Sequence, residues 1–159
     1  MSIEKVRPYL ASFGIGDRVR EFPVSSATVE LAAIALGVEG KRIAKSMSFK
    51  VGEKPIIVVV AGDRKIDNAK YKAEFGVKAK MLTFEEACAM TGHAPGGVCP
   101  FALPEDVEVY LDVSLRRFST VFPAAGSANS AVEVTPEELE RFSSHFVRWV
   151  DACKEKEPV

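Results

Sequence analysis

The sequence has few of the residues from which metal sites and disulfides are built. Its 159 residues include two histidines, His93 and His145, and three cysteines, Cys88, Cys99 and Cys153, with no C-x-x-C pair among them. Zinc sites in proteins draw their ligands mainly from histidine and cysteine, and an odd number of cysteines makes a poor disulfide framework. We therefore expect no metal, no cofactor and a reducing, cytoplasmic environment.

Long hydrophobic runs and phosphate-binding glycine patterns are also missing. Even the apolar run from Ile56 to Ala61 is far shorter than the roughly 20 residues that span a bilayer. There is no G-x-x-x-x-G-K-[ST] or G-x-G-x-x-G sequence, which argues against a P-loop or a dinucleotide-binding fold. A length of 159 residues with 47% hydrophobic content predicts one globular domain, residues 1–159, with no membrane segment.

Charge is unevenly distributed along the chain. From Lys41 to Lys80 there are eleven Lys or Arg residues and four acidic ones, although the net charge of the whole chain is only −1. Such a segment can bind polyanions by neutralising phosphates, or its lysines can simply solvate two strands and a helix. Charge alone favours the second interpretation.

Hydrophobic periodicity and capping signals predict a mixture of helices and strands. The predicted helices run from Ile3 to Phe13, from a cap at Ser26 to Gly37, from Asp67 to Phe75, from Thr83 to Thr91, and from Thr135 through a stripe of Leu139, Phe142, Phe146 and Val150. The predicted strands are Ile43 to Val51, Ile56 to Ala61, Val77 to Met81, Val107 to Val113, Ser119 to Phe122 and Ala131 to Val134. Without a regular β-α alternation, this order predicts an α+β domain with a mixed, curled sheet.

The segment from His93 to Phe101 contains two adjacent glycines, Gly96 and Gly97, between two prolines. Glycine permits positive φ angles and lets a ligand come close to main-chain N–H groups, while proline fixes φ. The segment therefore predicts a shaped loop that presents its backbone to a ligand.

Two side chains are candidates for chemistry, and each has a plainer explanation. Lys45 lies in an alternating strand, where it is either an anion-binding group on a concave face or a surface lysine on an edge strand. Cys99 is either a nucleophile with His93 as its base or a small buried residue. From the residues alone, the plainer explanation is favoured for both.

Taken together, four segments resemble a known family. They are Lys45 on its strand, Gly62 to Lys65, Gly96 to Phe101, and Ala125 to Ser130. Their order is similar to that in the YbaK/EbsC family of free-standing aminoacyl-tRNA editing domains, which is itself similar to the domain inserted in bacterial prolyl-tRNA synthetases. The resemblance extends from about Pro23 to Leu139. It implies a mixed, barrel-like β-sheet surrounded by helices.

The resemblance also implies an activity, partners and a set of site residues. The activity is hydrolysis of the ester that joins a wrong amino acid, mostly alanine or cysteine, to tRNA for proline. The implied partners are the 3′ acceptor end of misacylated tRNA and a prolyl-tRNA synthetase. Lys45 would hold the terminal nucleotide or orient the aminoacyl group, and the backbone of Gly96 and Gly97, with Gly97 the more exposed, would bind the ester carbonyl. The other substrate-binding positions would be Ser46, Asp63, Val98, Cys99, Pro100, Ser127, Asn129 and Ser130.

The sequence departs from the family pattern at two positions and leaves several questions open. Cys99 stands where the family often has serine, and Ala102 where it often has glycine. A non-catalytic tRNA- or synthetase-binding module of the same fold and a cysteine-dependent hydrolase of small esters remain alternatives. The oligomeric state, monomer or homodimer, and the edited amino acid are not determined by the sequence.

Overall fold

The computed structural model describes residues 3–94 and 96–156. The helices are α1 (Ile3–Ala11), α2 (Val29–Leu36), α3 (Asn68–Phe75), α4 (Phe84–Thr91) and α5 (Pro136–Phe142). The strands are β1 (Arg20–Glu21), β2 (Ile43–Val51), β3 (Lys54–Ala61), β4 (Arg64–Ile66), β5 (Glu108–Asp112), β6 (Phe122–Pro123), β7 (Ser130–Ala131), β8 (Phe146–Val150) and β9 (Cys153–Glu155). Pro95, in the predicted glycine loop, lies outside the described residues.

A curled sheet of five strands, in the order β6-β2-β3-β5-β8, forms a half-barrel at the centre of the fold. The β2 and β3 strands form the predicted antiparallel hairpin, and β6, β5 and β8 join the sheet in parallel. The predicted α+β class with a mixed, barrel-like sheet is therefore confirmed. No helix in the described part of the chain has the length and apolar character that a membrane span needs.

Strand β3 lies at the centre because it is apolar on both faces. All of its residues from Pro55 to Ala61 are buried. One face of the sheet packs against the larger core, to which α1 contributes Leu10 and α5 contributes Phe142. The other face packs against Tyr71 of α3. This two-sided burial is expected of a strand with a continuous β-branched sequence.

Capping signals predicted most helix boundaries correctly. Thr83 and Thr135 each form the predicted capping box with the glutamate three residues later. Asp67 caps α3 by accepting a hydrogen bond from the backbone N–H of Lys70. The predicted cap at Ser26 is wrong, because Thr28 caps α2.

Two of the secondary-structure predictions are wrong, and a short strand was missed. The last helix stops at Phe142, and Phe146–Val150 forms β8, paired with β5. Residues 77–80 form no strand, and only Met81 bridges to β2, at Phe49. Strand β9 was not predicted, and it pairs with β4.

Candidate functional site

A cleft of about 580 Å³ runs along the outer edge of β2. This edge is only partly covered. Among the described residues, β6 pairs with Ile43 and Ala44 of β2, and the next hydrogen bond along the edge runs from the N–H of Leu82 to the carbonyl of Ser48 (3.1 Å). The cleft is lined by β2, the start of α2, the segment around the start of α4, the glycine loop (His93 to Phe101) and a second loop (Ala125 to Ser130). Its lining residues include Ala27, Glu30, Ala44, Lys45, Ser46, Met81, Phe84, Ala87, Gly96, Val98, Ala124, Ser130 and Lys156.

Lys45 is exposed and lines this cleft together with Gly96 and Val98. Within residues 3–94 and 96–156 it forms neither a hydrogen bond nor an ion pair. Lys45 is thus exposed, as expected of a surface lysine, but the surface on which it lies is the concave wall of the cleft. Its charge is available to an anionic ligand.

Ser46 presents its main chain at the uncovered part of the β2 edge. The carbonyl of Ser48 and the N–H of Lys50 point away from β3, to Leu82 and Lys80. Backbone groups alternate in direction along a strand, so those of Ser46 point the same way. The Ser46 hydroxyl is buried and has no hydrogen-bond partner in the described part of the chain.

The two glycines of the glycine loop serve different purposes. Gly96 has a φ of +92°, which favours glycine, and a Cβ there would lie 3.2 Å from Cβ of Ala27. A Cβ at Gly97 would lie 2.8 Å from backbone atoms of Gly126 and Ser127. Gly96 thus shapes the loop, and Gly97 lets it pack against the second loop.

The expectation that Gly97 is the exposed glycine is wrong. Gly97 is buried, and its N–H donates to the carbonyl of Ala94 (2.9 Å). By contrast, the N–H groups of Gly96 and Val98 donate to no acceptor among the described residues. Both residues line the cleft, so the available donors flank Gly97.

Cys99 and Pro100 lie beneath the cleft and do not line it. Cys99 is fully buried, and its Sγ lies 3.6 Å from Nε2 of His93 and 3.8 Å from the carbonyl oxygen of Phe101. Burial raises the pKa of the Cys99 thiol to about 12. The carbonyl of Pro100 accepts the N–H of Ser144 (2.7 Å). These two residues anchor the loop, which is a different role from the predicted contact with substrate.

If the protein has the deacylase activity that the resemblance implies, Cys99→Ala should keep wild-type kcat/KM, because a thiol that stays protonated in the core supplies no thiolate. Iodoacetamide should leave Cys99 unmodified in the folded protein, as measured by mass spectrometry, while half-buried Cys88 serves as the internal comparison. Loss of activity upon alkylation of Cys99 would restore the cysteine-hydrolase alternative.

His93 supports the glycine loop from below. It is buried, and its Nε2 lies 2.8 Å from the carbonyl oxygen of Phe101, while Nδ1 has no partner among the described residues. Burial lowers the pKa of His93 below its ordinary value of 6.5. The neutral ring is therefore the form that the fold favours.

The depressed pKa of His93 predicts that the folded protein becomes less stable as the pH is lowered. Protonation is favoured in the unfolded chain, so the stabilisation by neutral His93 is complete above pH 6.5 and is lost as pH falls from 6.5 towards the folded-state pKa. His93→Gln should flatten the slope of melting temperature against pH in this range. An unchanged slope in His93→Gln would contradict the prediction.

The polar side chains of the second loop, Ala125 to Ser130, form hydrogen bonds mostly with one another. The hydroxyl of Ser127 lies 2.7 Å from that of Ser130 and 2.9 Å from Oδ1 of Asn129, and Nδ2 of Asn129 donates to the carbonyl of Phe22. Of the three, only Ser130 lines the cleft. Ser127 and Asn129 thus shape the loop that receives Gly97.

Asp63 binds Arg117 instead of facing the cleft. Its two carboxylate oxygens accept hydrogen bonds from the Arg117 guanidinium at 2.6 and 3.1 Å. The Arg117 guanidinium, with help from Arg64, holds the pKa of Asp63 below its ordinary range. Paired in this way, its carboxylate does not compete for the lysines of the cleft.

Lys156 is a cleft residue that the sequence analysis missed. The pairing of β9 with β4 brings it to the cleft, and its N–H donates to the carbonyl of Asp63 (3.1 Å). Its exposed ammonium has no acidic partner within the described residues. No local signal pointed to this lysine, because its position depends on strands far apart in sequence.

Part of the basic segment is neutralised by neighbouring acids. Several of its basic residues form ion pairs with described acids, including Lys54 with Glu108 (3.0 Å) and Lys70 with Asp151 (3.2 Å). The segment is therefore less basic at the surface than its composition indicates. Lys45 remains available within the cleft.

A family assignment follows from comparison with known proteins. The sequence model described as "Aminoacyl-tRNA editing domain" matches residues 24–142. The chain belongs to the aminoacyl-tRNA editing domain family. The matched range agrees with the resemblance seen in the sequence.

Among particular relatives, the uncharacterized protein YwhH of Bacillus subtilis (strain 168) is 54% identical over 99% of this chain and 100% of its own. EbsC of Enterococcus faecalis, a proposed deacylase of Cys-tRNA(Pro) and Cys-tRNA(Cys), is 30% identical over 70% of each chain. The proline–tRNA ligase of Bacillus cytotoxicus is 29% identical over 68% of this chain but only 20% of the ligase. The chain thus corresponds to about a fifth of that enzyme.

The fold also matches solved structures. A proposed trans-editing enzyme for prolyl-tRNA synthetase has a TM-score of 0.84 and 30% identity, with 98% of each chain covered. The crystal structure of the hypothetical protein APE2540 has a TM-score of 0.82 and 26% identity over 94% of this chain and 99% of the other.

Proposed function

We propose that this protein acts in trans to hydrolyse the ester bond of misacylated tRNA, with alanine or cysteine on tRNA for proline as the substrate. One observation carries the proposal: the ammonium of Lys45 and the N–H groups of Gly96 and Val98, which have no partner among residues 3–94 and 96–156, belong to residues that line the same cleft. Membership of the editing family supports the reaction class. A prolyl-tRNA synthetase would be the source of the misacylated tRNA.

In this proposal the lysines hold the nucleic acid. Lys45 and Lys156 bind phosphates near the 3′ end, where positive charge releases counterions and supplies affinity. An ammonium is suited to this role because it is a flexible point charge with three donors. The Asp63–Arg117 pair keeps the neighbouring carboxylate from repelling the phosphate.

The glycine loop stabilises the reacting carbonyl. The N–H groups of Gly96 and Val98 donate to the carbonyl oxygen as a water oxygen bonds to the carbonyl carbon and negative charge develops. The bond between that carbon and the ribose oxygen then breaks, and the ribose oxygen takes the proton that the water releases. The neighbouring ribose hydroxyl relays this proton. The products are the free amino acid and a tRNA with a free 3′ end.

Small residues around the cleft favour a small amino acid. Ala27, Ala44, Ala87 and Ala124 all line it. A synthetase site built for proline rejects smaller side chains only weakly, and a second site that accepts them corrects the error. The alanine lining is suited to that second site.

A deacylation panel tests the proposal. We expect hydrolysis of tRNA for proline charged with alanine or cysteine, slower hydrolysis with serine, and least with proline, measured as release of radiolabelled amino acid. The untreated tRNAs at the same pH give the spontaneous rates. No turnover with any substrate, together with retained salt-sensitive binding, would instead identify a non-catalytic tRNA-binding module.

A further inference from the structure

Two large apolar side chains are exposed at one end of the cleft. Phe84 is 65% exposed and Met81 is 56% exposed, and both line the cleft. Exposed apolar surface that borders a concave site commonly marks contact with a ligand. The proposed function, which uses the lysines and the glycine loop, assigns no role to these two side chains.

Phe84 is held on a rigid element. It is the first residue of α4, directly after Thr83, whose capping box with Glu86 fixes the start of the helix. Glu86 also forms an ion pair with Lys50 of β2. The ring is therefore presented from a fixed position.

The two ends of the cleft have complementary chemistry. Met81 bridges to Phe49, whereas Lys45 lies four residues earlier in the same strand. At roughly 3.3 Å per residue, the apolar end lies about 13 Å along the strand from the cationic end. A nucleotide combines an anionic phosphate with an aromatic base, and an amino acid with a small side chain does not need this second, apolar end.

We propose that Phe84 and Met81 form a stacking platform for the base of the 3′-terminal nucleotide, whose phosphate is held by Lys45 and Lys156. This inference rests on the proposed function, since it places the same substrate in the same cleft. Every base offers a π face to an aromatic ring, and the methionine thioether makes favourable contacts with rings. The platform would orient the ester towards Gly96 and Val98.

Fluorescence of an uncharged tRNA with 2-aminopurine as its last base tests the platform without any chemical step. Wild-type protein should quench the fluorescence by stacking. Phe84→Ala should remove most of the quenching and raise the dissociation constant about tenfold, while Phe84→Tyr should retain both properties. Ile34→Ala is the matched control, because Ile34 is 77% exposed on α2 and does not line the cleft.

Unchanged quenching and affinity in both Phe84→Ala and Met81→Ala would overturn the inference. So would a prolyl-tRNA synthetase whose binding depends on Phe84 while tRNA binding does not, since the patch would then belong to a protein partner. Deacylation by the same variants separates this inference from the proposed function. If quenching depends on Phe84 but the wild-type protein hydrolyses no substrate, the platform is supported and the proposed hydrolase is refuted. If the wild-type protein hydrolyses its substrate and Phe84→Ala has the same kcat/KM, only the platform is refuted.

Discussion

Gly97→Ala should lower kcat/KM for deacylation on the order of 100-fold and destabilise the fold by about 2 kcal/mol. The added Cβ would lie 2.8 Å from backbone atoms of Gly126 and Ser127, and backbone cannot rotate away as a side chain can. The two loops must therefore separate. Gly96 and Val98 would move with the glycine loop, and their N–H groups would no longer point at the position of the carbonyl oxygen.

The matched control is Gly52→Ala in the hairpin turn. Unlike Gly97, Gly52 has a positive φ (+62°), and a Cβ there meets nothing within 4 Å. Its replacement should cost about 1 to 2 kcal/mol from backbone strain and leave kcat/KM unchanged. Thermal melting and steady-state deacylation measure both effects. Wild-type activity in Gly97→Ala would show that the packing of the two loops does not position the donors.

Lys45→Ala should lower kcat/KM by about 10- to 100-fold, which corresponds to the loss of one hydrogen bond to a charged group. If Lys45 binds a phosphate, the slope of log affinity against log salt concentration should also decrease by about one. Loss of a merely structural residue would not change that slope.

Lys78→Ala is a suitable control for Lys45→Ala. Lys78 is an exposed lysine of the same basic segment, and it does not line the cleft. It should keep wild-type kcat/KM and salt slope. Equal losses in both variants would mean that overall charge, and not the position of Lys45, determines activity.

The local parts of the fold were predictable from the sequence, and the long-range parts were not. The β2–β3 hairpin and the capping boxes depend on neighbouring residues. By contrast, Phe142, Phe146 and Val150 fit a helical spacing, while residues 146–150 also form a strand once β5 is beside them. Only pairing with a distant strand decides between the two, and sequence periodicity contains no information about it.

The same distinction applies to the candidate site. The glycine loop and Lys45 were found because their residue types are unusual where they occur. Which glycine is exposed depends on Gly126 in another loop, and Lys156 reaches the cleft only through the pairing of β9 with β4. Neither position could be predicted from local sequence.

The close contact between Gly97 and the Gly126–Ser127 backbone constrains how such an enzyme can change specificity. The glycine loop can accept no larger residue at position 97 unless the second loop retreats, so a change there would have to be accompanied by a change in the second loop. Single changes should be tolerated more easily at Ala27 and Ala124, which line the cleft and are not buried. We therefore expect the loops to change less readily than the cleft lining, and relatives that edit a different amino acid should differ first in the size of these two side chains.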